Sequence, residues 1–106
     1  MLKKYTKQEV LSYLTQLNTV STPSWELKSN KLHKLFIFSN FLEAFEFMKQ
    51  IAQQAEILNH HPDWKNCYNQ VEINLTTHKF SGISKKDFEL AYFIEELFIK
   101  HKNSKN

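Results

Sequence analysis

Residues 31–60, KLHKLFIFSNFLEAFEFMKQIAQQAEILNH, change their hydrophobic period part-way, and that change decides the fold. From Lys31 to Phe38 the side chains alternate, with Lys34, Phe36 and Phe38 on one face and Leu35 and Ile37 on the other. Apolar residues on both faces predict a strand covered twice, by a helix on one side and by a neighbouring subunit on the other. Phe41, Phe45, Met48, Ala52 and Ala55 then recur at helical spacing and predict an amphipathic helix with these residues on its buried face. This helix should begin at Ser39 or Asn40, with Glu43 closing the cap. It should end near Leu58-Asn59, because Pro62 disfavours helical geometry at His61.

Toward the N-terminus, Trp25 to Lys28 predicts a partner strand across a Ser29-Asn30 turn. Before it, Thr6 and Glu9 make a capping box, and Val10, Leu11, Leu14 and Leu17 follow at helical spacing. Asn18 to Ser24 connects the two. Toward the C-terminus, residues 64–78 read as extended, with a tight turn at Tyr68-Asn69-Gln70. Val71, Ile73 and Leu75 point to the core, while Glu72, Asn74 and Thr76 face away and His78 closes the strand beside them. Gly82 breaks the chain. Ser84 with Asp87 caps a last helix carrying Leu90, Ala91, Ile94, Leu97 and Phe98. The order α-β-β-α-β-β-α predicts an α+β fold, a four-stranded antiparallel sheet covered on one face by helices. Residues 1–106 are expected to form one domain, with residues 100–106 a fraying tail.

The composition narrows the function. All fourteen basic residues are lysine, and without arginine the bidentate recognition of bases and phosphates has no agent, so no direct nucleic-acid binding is expected despite a net charge of +3. One glycine, Gly82, cannot supply a dinucleotide fingerprint or a P-loop. The lone Cys67 forms no internal disulfide. MLKKYTKQEV offers no apolar leader, and no run approaches the length that spans a bilayer. These features predict a reduced, cytoplasmic location away from membranes.

Chemistry is concentrated in histidine. His60 and His61 follow a helix end and are stiffened by Pro62, and His78 lies where the returning strand ends. Three imidazoles can hold a metal or move protons near neutral pH. Adjacent histidines are an awkward ligand pair, and no HxH or HxxxH spacing is present, which turns the reading toward acid–base chemistry. Glu56, one helical turn before His60, either orients a histidine or is solvated. His33 and His101 read as structural, Cys67 as a small buried hydrophobe, and Trp64 and Tyr68 as packing.

The segments 56–64 (EILNHHPDW), 68–71 (YNQV), 75–78 (LTTH) and 82–87 (GISKKD) together resemble the pterin-4a-carbinolamine dehydratases. That family's pattern is an acidic residue, three spacers, His-His-Pro, an aromatic, a later histidine, and an aspartate past a Gly-Ile-Ser type of turn. The resemblance extends through Trp25-Glu26-Leu27, Phe36 and Phe38 into Phe41, Ala44, Phe45 and Phe47-Met48, covering about residues 5–100. It departs at Asp63, where glutamate is frequent, and at Lys79. The resemblance implies a 4a-hydroxytetrahydropterin as substrate, bound by Asn59, His60, His61, Thr76, Thr77, His78 and Lys79. It implies His61 as principal acid/base, His78 as its partner and His60 as an orienting group that shares proton traffic. Asp87 is read as a helix cap. No cofactor and no metal are implied, and the chain is expected to be a homodimer or homotetramer with sheets joined between subunits. The competing expectation is a dimerisation cofactor or interaction protein for a transcription factor, using an apolar face of the last helix formed by Leu90, Phe93, Ile94 and Leu97.

Overall fold

In a computed structural model, which describes residues 1–104, the chain runs α1 (Lys7–Leu17), β1 (Glu26–Lys28), β2 (Lys31–Ile37), α2 (Phe41–Leu58), β3 (Asp63–Cys67), β4 (Gln70–Leu75), a 3-10 turn (His78–Phe80) and α3 (Lys85–Ser104). The strands form one antiparallel sheet in the order β1-β2-β4-β3. The class and the order of elements are those expected. Ser29 and Asn30 both have positive φ, 51° and 64°, as a two-residue turn matching the twist of a hairpin requires.

The helices lie on one face of the sheet. Leu32, Lys34 and Phe36 of β2, with Val71, Ile73 and Leu75 of β4, are all at most 2% exposed. Leu35 and Ile37, on the opposite face, stay open to solvent. Phe36 and Phe38 meet Phe47 of α2 and Phe98 of α3 at ring-centroid distances of 4.8–5.7 Å. Each such ring contributes about 1.5–3 kcal/mol through burial. One charged pair sits in this layer: Lys34 is ion-paired with Glu95, which also accepts the Trp25 indole N–H at 2.8 Å. Burial pushes the Lys34 ammonium below its ordinary value, against the opposing pull of Glu95.

The capping expectations for α1 and α2 hold. Thr6 and Glu9 close a capping box, and Asn40 accepts from the Glu43 backbone at 2.9 Å. The facing of α2 differs from expectation. Its core side is Ala44, Phe47, Ile51 and Ala55, whereas Phe41 and Phe45 are 43% and 53% exposed and Ala52 is exposed. Two apolar stripes run along this helix, and the one carrying small Ala44 and Ala55 lets the backbone approach the sheet most closely. Of the apolar face expected on α3, Leu90 and Ile94 are fully buried inside the chain, while Phe93 and Leu97 are half-buried. Helix α3 continues through Lys100–Ser104, part of the stretch expected to fray, while residues 105 and 106 lie outside the described residues. Among the described residues no helix is long and apolar enough to cross a membrane.

Strand β4 stops at Leu75, before the expected end at His78. Thr77 N–H donates to the Gly82 carbonyl at 2.7 Å, pinching residues 77–82 into a closed turn. Thr76, expected to face outward, is therefore buried, its hydroxyl donating to the same carbonyl at 3.2 Å.

Candidate active site

The end of α2 delivers the paired histidines. Asn59 takes the left-handed conformation (φ 51°, ψ 45°) that asparagine tolerates. Its N–H donates to the Glu56 carbonyl at 3.2 Å, and the His60 N–H to the Ala55 carbonyl at 2.9 Å. This crossed pair of bonds is the Schellman ending of a helix. It turns the chain so that His60 points inward, only 9% exposed, while His61 lies outside. The Lys86 ammonium donates to the Leu58 carbonyl at 3.3 Å, satisfying another orphan acceptor of the same helix end.

Each of the three histidines has a carboxylate against its Nε2. For His60 it is Asp87 Oδ1 at 2.6 Å, in a wholly buried contact. Asp87 is 0% exposed, and its other oxygen accepts from the Thr77 hydroxyl at 2.7 Å and the Ser84 N–H at 2.9 Å. The Thr77 and Ser84 hydroxyls lie 2.6 Å apart. Asp87 thus caps α3 and holds His60 at once. For His61 the partner is Glu56 Oε2 at 2.5 Å, both side chains being exposed. For His78 it is Asp63 Oδ1 at 3.4 Å, with Asp63 also bonded by Lys31 at 3.0 Å. Burial pushes the Asp63 carboxyl up, but Lys31, through its hydrogen bond and charge, and His78 outweigh this and hold it below the usual carboxylate value.

A cleft of about 430 Å³ gathers these groups, lined by Leu2, Asn59, His60, His61, Pro62, Asp63, Thr77, His78, Lys79 and Lys86. The structure brings Asn59, His60, His61, Thr77, His78 and Lys79 of the expected set to one cavity. Thr76 is not among its walls. Among the described residues no three His, Cys, Asp or Glu side chains are arranged to hold a metal ion.

A family model described as pterin 4 alpha carbinolamine dehydratase matches residues 3–97. The chain belongs to this family. Relatives provisionally named as pterin-4-alpha-carbinolamine dehydratases include one from Solibacter usitatus, 40% identical over 97 residues, which cover 92% of this chain and 97% of that protein. Another, from Prochlorococcus marinus (strain NATL2A), is 49% identical over 75 residues, covering 71% of this chain and 79% of that protein. Among solved structures, a transcriptional coactivator/pterin dehydratase from Brucella melitensis superposes with a TM-score of 0.82 at 32% identity, over 90% of this chain and 98% of that one.

Several groups in the site of this pterin dehydratase family member escape sequence reasoning. Asp87 shows its capping role locally, but its contact with His60 spans 27 residues and leaves no periodic trace. Glu56 is the exception: its helical spacing already offers it as an orienting group, and it meets His61. Asp63 and Lys86 join the cavity without a motif of their own, and Leu2 arrives because residues 4 and 5 bridge to the turn at residues 83 and 84.

Proposed function

We propose that this protein dehydrates 4a-hydroxytetrahydrobiopterin (pterin-4a-carbinolamine) to quinonoid 6,7-dihydropterin by histidine acid–base catalysis. The observation that carries this reading is the meeting of three imidazoles in one cavity, each with a carboxylate at one ring nitrogen. Loss of water from the carbinolamine needs a proton delivered to the C4a hydroxyl and one taken from N5. Exposed His61 and His78 each have one ring nitrogen against a carboxylate and the other left for substrate, so each can give or take a proton. His61 is assigned as principal acid/base and His78 as its partner. Buried His60, fixed by Asp87, orients the substrate together with Asn59, Thr77 and Lys79. The reaction would support recycling of tetrahydrobiopterin in the cytoplasm.

The test is turnover of a freshly generated 4a-hydroxytetrahydropterin, corrected for its spontaneous dehydration. Acceleration that survives exhaustive chelation is expected. Failure to exceed the spontaneous rate overturns the reading, and activity lost with a removed metal overturns its mechanism.

A second reading, a dimerisation cofactor for a transcription factor, is favoured by one observation. Phe41, Leu42 and Phe45 form an exposed apolar stripe on α2. The description of the Brucella melitensis relative joins coactivator and dehydratase in one protein. The same stripe, with Leu35 and Ile37 on the open sheet face, supports self-association into a dimer or tetramer.

A further inference from the structure

The charges around the histidine cavity are unevenly matched. Its carboxylates are all engaged: Asp87 with His60, Thr77 and Ser84, Glu56 with His61, and Asp63 with Lys31 and His78. Two of its lysines are not. Among the described residues, neither Lys79 nor Lys86 has a carboxylate within ion-pairing distance. Lys86 is nonetheless held in place, half-buried with its ammonium on the Leu58 carbonyl beside Asn59 and His60. The cleft also continues. A neighbouring hollow of about 380 Å³ shares Leu2 and Lys86 as walls and adds Lys85, and its one carboxylate is Glu89. The Lys3 ammonium there is tied to Glu9 at 3.0 Å. A groove with a hydrogen-bonding end at the histidines and a cationic end at Lys86 and Lys85 suits a ligand that is polar and neutral at one end and negative at the other.

Resting on the dehydratase reading above, we propose that this site also takes, and takes more efficiently than the neutral compound, a pterin carbinolamine whose side chain carries an anionic group, a phosphate or a carboxylate, received by Lys86 with Lys79 and Lys85. A neutral dihydroxypropyl side chain makes no use of three ammonium groups that have no carboxylate partner among the described residues. An anion recovers their charge at close range and is drawn into the cleft by the field they produce.

The experiment compares three 4a-hydroxytetrahydropterins: one with a neutral dihydroxypropyl chain, its phosphate monoester, and a 6-carboxylate. At low ionic strength kcat/KM should be about tenfold higher for an anion than for the neutral compound, the scale expected of two or three partly exposed charge pairs. The gain should appear in KM and shrink as salt is added. Which of the two anions gains identifies the group recognised. Lys86→Met and Lys79→Met should each lower the anionic-to-neutral ratio, whereas Lys49→Met, exposed within α2 and outside both hollows, should leave it unchanged. Fluorescence titration with the corresponding oxidised, unreactive pterins should show the same order of Kd. Equal kcat/KM and equal Kd for neutral and anionic compounds would overturn the proposal while leaving the dehydratase reading intact. Failure to accelerate any of the three overturns the dehydratase reading itself.

Discussion

Truncating His61 to alanine removes a ring that is 55% exposed and touches the protein mainly through Glu56. Turnover should therefore fall by about 10²–10⁴, the usual worth of a positioned acid or base, with little change in the melting temperature. His78→Ala should behave alike, and the double variant should lose less than the product of the single losses, since groups acting together are not additive. His33, bonded to Glu72 on the open sheet face, and His101, packed on Phe38, are the controls. Wild-type rates in both His61→Ala and His78→Ala would defeat the assignment. Asp87 is a different case because it serves three groups from a fully buried position. Asp87→Ala leaves His60, Thr77 and the Ser84 N–H without an acceptor and should cost roughly 3–5 kcal/mol of stability, together with activity. A melt within a degree of wild type would show that the buried contact is not structural. His60, His61 and His78 stood out in the sequence because histidine next to proline and histidine at a strand end are unusual placements. Of the carboxylates behind them only Glu56 did, through its helical spacing; Asp87 and Asp63 reach their histidines only through the tertiary fold.

Element scale shows the same division between local and long-range signals. The alternation of Val71, Ile73 and Leu75 is local and unambiguous, and all three are fully buried. The period of α2 is just as regular, yet it admits two apolar stripes. Only packing against β4 and α3 selects Ala44, Phe47, Ile51 and Ala55 over Phe41 and Phe45. Strand β4 ends earlier than its alternation implies for a related reason: the Thr77–Gly82 pairing that stops it is a contact across the turn rather than a residue preference. Lys34 shares the face of Phe36 and Phe38, as the alternation implies, and lies inside, paired with Glu95 of α3. Removing only one member, in Glu95→Leu, leaves a buried ammonium unpaired and should cost about 3–5 kcal/mol. Lys34→Met/Glu95→Leu should recover most of that loss. Thermal melts of the single and double variants decide it, and a double variant as unstable as Glu95→Leu would refute the argument. A pH series adds a sign. With Lys34 held below its ordinary 10.5, the unfolded chain binds more protons there than the folded one between the two values. Stability of the wild type relative to the double variant should accordingly rise with pH through that window.

At the scale of the whole molecule, a chain of 106 residues buries only about two-thirds of its unfolded surface, and this one leaves much of its apolar area outside. Phe41, Leu42 and Phe45 stand on α2, Leu35 and Ile37 on the open face of the sheet, all between 40% and 77% exposed. The sequence already signalled this in β2, whose apolar residues on both faces one layer of helices could not cover. It did not signal the second patch, because Phe41 and Phe45 looked like core. Two separate apolar surfaces on so small a body favour association of copies, and light scattering should return a mass well above the 12.7 kDa of one chain. Phe45→Glu and Ile37→Glu place a charge in each patch in turn. The variant that lowers the mass identifies the contact that holds the assembly, and if both do, two contacts build it. His60, His61 and His78 meet within one chain, so a charge-bearing variant that dissociates should keep its dehydratase activity. A monomeric mass for the unaltered protein across a wide concentration range would remove the case for assembly altogether.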